Sequence, residues 1–275
     1  MKRINKCLKI YWPFAKISIQ SNMQFSVNFF MFILGGMTQV FVNYYLWKAV
    51  FQNSSYNSLG GFKLNEMVIY VFMSYVTSRF VISNADRLIT NEVRDGSIAM
   101  SLIKPINYYI RILFDSIGNV IYNFVFIGFP IWIGLMVIRF AWYSQVPPSV
   151  GTIICYLISM LMGFLIIFLF NLSFGLLAFI VINNFGLASI KNLIIGIFSG
   201  QLIPITFFPD SISWIFKYLP FMYTNYVPVM IYLNKIKGYD VFINFMLQLI
   251  WILVLVIIDI FIWRSAIKHL SIQGG

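Results

Sequence analysis

The side chains able to make strong polar contacts are concentrated in residues 86–115 of the chain. This charged segment, DRLITNEVRDGSIAMSLIKPINYYIRILFD, contains Asp86, Arg87, Glu92, Arg94, Asp95, Lys104, Arg111 and Asp115. Charged side chains are costly in hydrocarbon, so the segment is predicted to lie in water or against a partner protein. Gly96 predicts the end of one helix and Pro105 the limit of the next. A short amphipathic helix is therefore expected over residues 97–103.

Residue patterns typical of catalysis are absent from the sequence. It contains no GxxxxGK[ST] phosphate-binding loop, no HExxH and no CxxC, and its single histidine, His269, has no acidic residue nearby. Cys7 lies in a basic stretch and Cys155 in an apolar one, so neither predicts a metal site or a disulfide. The sequence therefore predicts a protein that is not an enzyme and holds no cofactor itself.

The composition is that of an integral membrane protein. Hydrophobic residues make up 60% of the chain and charged residues 10%, whereas an average soluble domain is about 25% charged. The net charge of +11 does not indicate nucleic-acid binding, because the basic residues lie beside apolar tracts and not in one dense run. Six spans are predicted, over residues 23–51, 64–83, 112–139, 150–182, from about 188, and over 241–263.

The distribution of lysine and arginine predicts the orientation of these spans. Most of the lysines and arginines, including those of residues 1–20 and of the charged segment, lie on one side of the membrane in the six-span arrangement. Basic loops stay in the cytoplasm, so both termini and the charged segment are predicted to be cytoplasmic. The expected location is a bacterial plasma membrane.

Two further segments do not fit a simple span. Residues 1–20 form a basic arm with apolar residues at helical spacing, which favours a helix lying on the inner membrane face; a flexible basic tail is the alternative. Pro13 is expected to interrupt any single straight helix there. Residues 201–237 are apolar but contain Pro204, Pro209, Pro220 and Pro228, which predicts two short helices re-entering the outer leaflet. We call residues 201–237 the hairpin segment.

These features together resemble the type-2 ABC exporter permeases. The resemblance in the charged segment lies in EVRDGSIAMSLIKPINYY, at Gly96, Leu102, Lys104 and Pro105. In the hairpin segment and just before it the matching positions are Gly200, Pro204, Phe208, Pro209, Leu219, Pro220, Phe221 and Pro228. The basic arm is similar to the interfacial connecting helix of that family. The run of residues 97–101 departs from the family in being more apolar and less acidic.

The resemblance implies a fold and a set of partners. The expected fold is all-α, with six transmembrane helices, the interfacial helix, a cytoplasmic coupling helix and the re-entrant hairpin, in one domain over residues 1–275. Two such permeases, identical or related, are expected to join two ATPase subunits, which bind the ATP and Mg²⁺. The residues expected to contact the ATPase are Glu92, Arg94, Asp95, Gly96, Ile98, Leu102, Ile103, Lys104, Pro105 and Arg111.

The hairpin segment is expected to act as an extracellular gate over the transport pathway. Its candidate gate residues are Pro204, Phe207, Phe208, Pro209, Trp214, Pro220, Phe221, Tyr223 and Pro228. Aromatic residues at such a position also serve as plain interfacial anchors. The apolar and aromatic composition suggests an amphipathic cargo such as a drug, a peptide or a lipid.

Two other functions are compatible with the same sequence. A non-transporting membrane subunit or sensor would use the charged segment to bind a soluble protein. An ion-coupled secondary transporter would need a carboxylate near the membrane midplane. Asp115, Asp259, Arg79 and Arg139 all fall near predicted span ends, where pairing or snorkelling at the interface is the expected use.

Overall fold

The computed structural model describes residues 2–24, 26–56, 58–143, 148–179 and 185–266, and in these ranges the chain is helical. No β-strand occurs in them, only an isolated bridge between Leu59 and Phe62. The helices described are α1 (Lys2–Met23), α2 (Ser26–Gln52), α3 (Leu64–Phe80), α4 (Ala85–Arg94), α5 (Ile98–Ile103), α6 (Tyr108–Asn123), α7 (Phe129–Tyr143), α8 (Val150–Leu176), α9 (Phe185–Phe198), α10 (Asp210–Lys217), α11 (Tyr226–Tyr232) and α12 (Tyr239–Ala266).

Three helical segments of the described chain are long and apolar enough to cross a membrane. They are Tyr108–Val137, which joins α6 to α7 through a π-helical turn, Val150–Phe179 and Tyr239–Ala266. Their lengths of 28 to 30 residues correspond to about 42–45 Å of helix, enough for a hydrocarbon core of about 30 Å. They lie at the third, fourth and sixth predicted spans. Helices α2, α3 and α9 lie at the other three, and their crossing stays a prediction.

Helix α1 packs along α6. The Tyr11 hydroxyl accepts a hydrogen bond from the Asn107 amide at 2.8 Å, and the Asn22 side chain donates to Asn119 at 3.4 Å. Both partners of the second pair lie farther along the chain than those of the first, so α1 and α6 run in the same direction. Ala15 is fully buried between these contacts, against Gly118.

One helix runs through Pro13, so the predicted interruption of the arm was wrong. Proline removes one backbone hydrogen bond, and the packing of Tyr11 and Ala15 on either side offsets that loss. The position of α1 on a membrane face stays a prediction.

The centre of the fold is built around α11. Every residue from 220 to 232 is buried, and α11 packs against α3 and α8. Gln248 of α12, fully buried, donates to the Tyr223 carbonyl at 2.8 Å and to the Ser159 carbonyl of α8 at 3.0 Å. Gly163 allows α8 to approach this centre, since a Cβ there would lie 3.0 Å from the Thr224 carbonyl oxygen. The end of the hairpin segment is therefore part of the core.

An ion pair joins the first turn of α3 to the connection that follows α11. Lys235, after α11, donates to Glu66 at 2.8 Å and to the Gly61 carbonyl at 2.7 Å. Its ammonium group also lies 4.7 Å from the centre of the Phe62 ring. These contacts tie the connection between α2 and α3 to the one between α11 and α12.

We predict that Gly118→Ala destabilises the protein, because the added methyl group would collide with the Ala15 backbone. Overpacking of this kind costs about 1–3 kcal/mol. The matched control is Gly134→Ala, farther along the same helical span, where nothing lies within 4 Å of an added Cβ. Thermal unfolding of the purified proteins in detergent should show a lower Tm for Gly118→Ala alone. Equal Tm values for the two variants would contradict the close packing of α1 on α6.

Candidate functional site

The charged segment folds as two short helices with a turn between them. Helix α4 ends at Arg94, and Gly96 follows with a φ of 72° and an amide that donates to the Val93 carbonyl at 3.2 Å. Glycine adopts this left-handed conformation without the penalty of a side chain. Helix α5 then ends at Ile103, and Lys104 is extended before Pro105. The short helix predicted from Gly96 and Pro105 is therefore present.

The residues of this segment differ in exposure. We define the exposed patch as seven of its exposed residues: Arg94, Asp95, Gly96, Met100, Ile103, Lys104 and Pro105. Met100 is 66% exposed and Ile103 is 77% exposed, which is unusual for apolar residues among charges. Ile98, by contrast, is only 4% exposed, and Leu102 is half-buried. Ile98 packs in the protein's own core and leaves little surface for a partner.

The sequence analysis did not single out Met100. Residues three apart lie on the same face of a helix, so Met100 and Ile103 form one apolar face of α5. The spacing alone could have indicated that face.

Glu92 and Arg111 are occupied with each other. Their side chains form an ion pair at 2.5 Å, each only 12% exposed, and the Tyr108 hydroxyl donates to the second Glu92 oxygen at 2.9 Å. The Arg111 guanidinium also lies 5.0 Å from the centre of the Tyr108 ring. These contacts hold α4 against α6 and offer little surface to another chain. Two of the residues predicted to bind an ATPase thus have internal partners.

The candidate gate residues lie in three different environments. Pro204, Pro220, Phe221, Tyr223 and Pro228 are buried, Phe207 and Phe208 are half-buried, and Pro209 and Trp214 are exposed. The two predicted short helices are present as α10 and α11, but only α10 lies on the surface.

A polar groove lies beside the start of the hairpin segment, between α2 and α3. It is lined by Gln39, Val40, Asn43, Tyr70, Val71, Tyr75, Gln201 and Leu202. No charged side chain is among these residues. The Tyr75 hydroxyl is buried and has no hydrogen-bond partner among the described residues. The groove therefore presents neutral amides and aliphatic side chains, with the two tyrosines buried in its wall.

The four ionisable residues expected near span ends are not alike. Asp259 is buried between α12 and α8, where one carboxylate oxygen accepts from the Ser173 hydroxyl and the other has no partner among the described residues. Asp115 accepts from the Asn84 amide at 3.2 Å, and the Arg79 guanidinium lies 4.6 Å from the Tyr75 ring centre. The Arg139 side chain and His269 lie outside the described part of the chain.

A comparison with protein families is decisive for the class of this protein. The family model described as "ABC-2 family transporter protein" matches residues 37–274. The chain belongs to the ABC-2 transporter family. No match was found among curated proteins or among solved structures.

Membership in the ABC-2 family confirms the resemblance drawn from the sequence. The protein is a multi-pass membrane permease of an ABC transporter system, a transport subunit that works with an ATPase. The matched range includes the charged segment, the groove and the hairpin segment.

We predict that Glu92→Gln destabilises the ABC-2 protein, because the Arg111 charge would lose its partner inside the fold. The loss for a mostly buried charged group is about 1–3 kcal/mol. Arg94→Gln, two residues away on the exposed end of α4, should change stability by less than about 0.5 kcal/mol. Thermal unfolding in detergent distinguishes the two. A Glu92→Gln protein as stable as Arg94→Gln would show that the ion pair does not hold α4 on α6.

Proposed function

We propose that this chain is the membrane-spanning permease of an ATP-driven exporter and that α5 is its coupling helix. The observation that carries the proposal is the apolar pair Met100 and Ile103, exposed on α5 between Arg94, Asp95 and Lys104. Hydrocarbon does not accept these neighbouring charges, so lipid is a poor cover for the apolar pair. A groove on a soluble protein covers apolar and charged groups together.

The contacts of α4, the helix before α5, suit the transfer of force to the membrane spans. Helix α4 packs on α8 and is joined to α6 by the Glu92–Arg111 ion pair. Both α6 and α8 belong to the segments long enough to cross a membrane. A push on α5 from a closing ATPase dimer would therefore reach two spans directly. ATP and Mg²⁺ belong to the two ATPase subunits in this proposal.

A second permease, either a copy of this chain or a related one, completes the proposed assembly. Helices α2 and α9 expose apolar side chains such as Leu34, Phe41, Leu193 and Ile197. A contiguous apolar surface on a membrane protein faces either lipid or another membrane subunit. The groove with Gln39, Asn43 and Gln201 adjoins these helices and would open toward the pathway between the two subunits.

The lining of this groove carries no charge, which favours an uncharged, amphipathic cargo. Its amides, from Gln39, Asn43 and Gln201, could hydrogen-bond a neutral polar group, and its aliphatic residues suit an apolar one. Drugs, peptides and lipids all include molecules of this kind. The gate would be formed by the surface part of the hairpin segment, α10, because the residues from 220 to 232 are buried in the core.

A non-transporting membrane partner is the second candidate, since the exposed patch would bind any soluble protein of matching shape. The two functions differ in their effect on ATP hydrolysis. An exporter permease changes the hydrolysis rate of its ATPase and moves cargo, whereas a sensor subunit binds without transport. Reconstitution with the co-purifying ATPase in sealed vesicles separates them.

We predict that Met100→Asp combined with Ile103→Asp weakens ATPase binding at least tenfold. Burial of one apolar side chain contributes about 1.5–3 kcal/mol, and about 1.4 kcal/mol corresponds to a tenfold change in affinity. The control is Tyr56→Asp, an equally exposed residue between α2 and α3 on the predicted outer side. Co-purification of the ATPase with tagged permease measures the effect. If the double variant co-purified as much ATPase as the parent protein, the proposed coupling role of α5 would be wrong.

We predict that the exposed patch faces the cytoplasm. In a background with Cys7 and Cys155 replaced by Ser, Met100→Cys should react with a membrane-impermeant maleimide only after the cells are permeabilised. Tyr56→Cys should react in sealed cells. Labelling of Met100→Cys in sealed cells would show that the exposed patch lies outside the cell, where a cytoplasmic ATPase could not bind it.

A further inference from the structure

Helix α9 has few buried contacts along its length. Most of its described side chains are exposed, among them Leu187, Ile190, Leu193 and Ile197. Lys191 is the exception, and it is the only described side chain within α9 that is fully buried. The sequence analysis placed Lys191 beside a tight return, whereas the structure places it in the middle of a helix. A single cation thus occupies the one buried position of α9.

Lys191 makes its contacts with α4 and α8. Its ammonium group lies 2.5 Å from an Asp86 carboxylate oxygen and donates to the Asn171 side-chain oxygen at 2.8 Å. The Asn171 amide in turn donates to the Ser83 carbonyl at 2.9 Å, just before α4. The Lys191 and Asp86 side chains are only 2% and 10% exposed. These residues join α9 to the helix that leads into the exposed patch.

The space around Asp86 is tightly filled. A Cβ on Gly175 would lie 2.9 Å from the Asp86 Cα atom and 2.9 Å from an Ile89 methyl carbon, so α4 is seated closely on α8. A buried ion pair contributes little to stability over apolar residues of similar volume, because both charges lose their hydration. Stability alone therefore does not require charges at these two positions. What an ion pair adds is a directional link between one point of α4 and one point of α9.

The other end of α9 is fixed to the hairpin segment. The Ser199 carbonyl accepts from the Tyr226 amide at 3.0 Å, and the Gly200 carbonyl accepts from the Tyr70 hydroxyl at 2.6 Å. Lys191 and Gly200 are nine positions apart, or about 14 Å along a helix. Helix α9 is thus held by polar contacts at Lys191 and at its end, with little packing between them.

We propose that the Lys191–Asp86 ion pair makes α9 move with α4, so that a displacement of the exposed patch reaches the hairpin segment through α9. This inference rests on the proposed coupling role of α5. It adds a route that the chain connectivity does not supply, since along the chain α4 lies between α3 and α5. Lys191 and Asp86 are positioning residues in this route.

The test follows the hairpin segment in the complex of the full chain with its co-purifying ATPase, reconstituted in lipid nanodiscs that leave both faces accessible. Thr206→Cys, exposed in the turn after Gly200, reports on the hairpin in a background with Cys7 and Cys155 replaced by Ser. Its reaction rate with an impermeant maleimide is measured without nucleotide and with ATP, Mg²⁺ and vanadate. In the Thr206→Cys protein with no further substitution, we expect nucleotide to change the rate of maleimide labelling at least threefold.

The decisive variants remove the ion pair in two ways. Lys191→Met should bind the ATPase normally but lose the nucleotide-dependent change in labelling, and Lys191→Arg should retain it. Asp86→Leu combined with Lys191→Met replaces both charges with apolar groups and should unfold at a temperature similar to the parent. The double variant should nevertheless lack the nucleotide-dependent change in labelling. If the ion pair served only stability, this stable variant would show the change. Lys16→Met, at an exposed lysine of α1, is the control.

Two results would overturn the inference. One is a nucleotide-dependent change that survives in the stable double variant. The other is an absent change in the parent protein although the ATPase is bound, which leaves the coupling role of α5 intact. If no ATPase binds the parent chain, the proposed function fails together with the inference.

Discussion

The low tolerance of hydrocarbon for charge governs how this chain is built. Most of the described charged residues are either paired inside the fold or placed where water or another protein can reach them, and Asp259, buried beside Ser173, is an exception. Three ion pairs occur among the described residues: Glu92–Arg111, Asp86–Lys191 and Glu66–Lys235. Two of them join parts of the chain that are more than 100 positions apart, and Glu92–Arg111 joins the nearby helices α4 and α6. Arg94, Asp95 and Lys104, beside Met100 and Ile103, are exposed on the surface that we propose meets a partner.

Close contact between helices supplies the rest of the stability, because lipid gives no hydrophobic reward for burying apolar side chains. Glycine occurs where this contact is closest: Gly118 against α1, Gly163 against the turn before α11, and Gly175 against α4. Hydrogen bonds of buried polar groups also join the helices. Gln248 alone links α12, α8 and the turn that precedes α11.

Local features of the fold could be predicted from the sequence, and long-range ones could not. Gly96 and Pro105 act on their own backbone and their immediate neighbours, so the bounds of α5 followed from them. The burial of Ile98 and the pairing of Glu92 with Arg111 depend on which face of α4 and α5 meets α6, which spacing in a six-residue helix does not decide. Asp86 and Lys191 are 105 positions apart, and a single sequence has no signal for such a pair. The prolines of residues 201–237 indicated short helices, but not that α11 would become core.

The two helices of the hairpin segment differ in how many neighbours restrain their residues. Helix α11 is buried along its whole length, whereas α10 contributes a single buried side chain, Phe216. Amino-acid replacements in α11 must fit several surrounding helices at once, while most replacements in α10 meet only solvent or lipid. Replacements in α10 should therefore alter the surface chemistry of the hairpin segment without disturbing the helices beneath it.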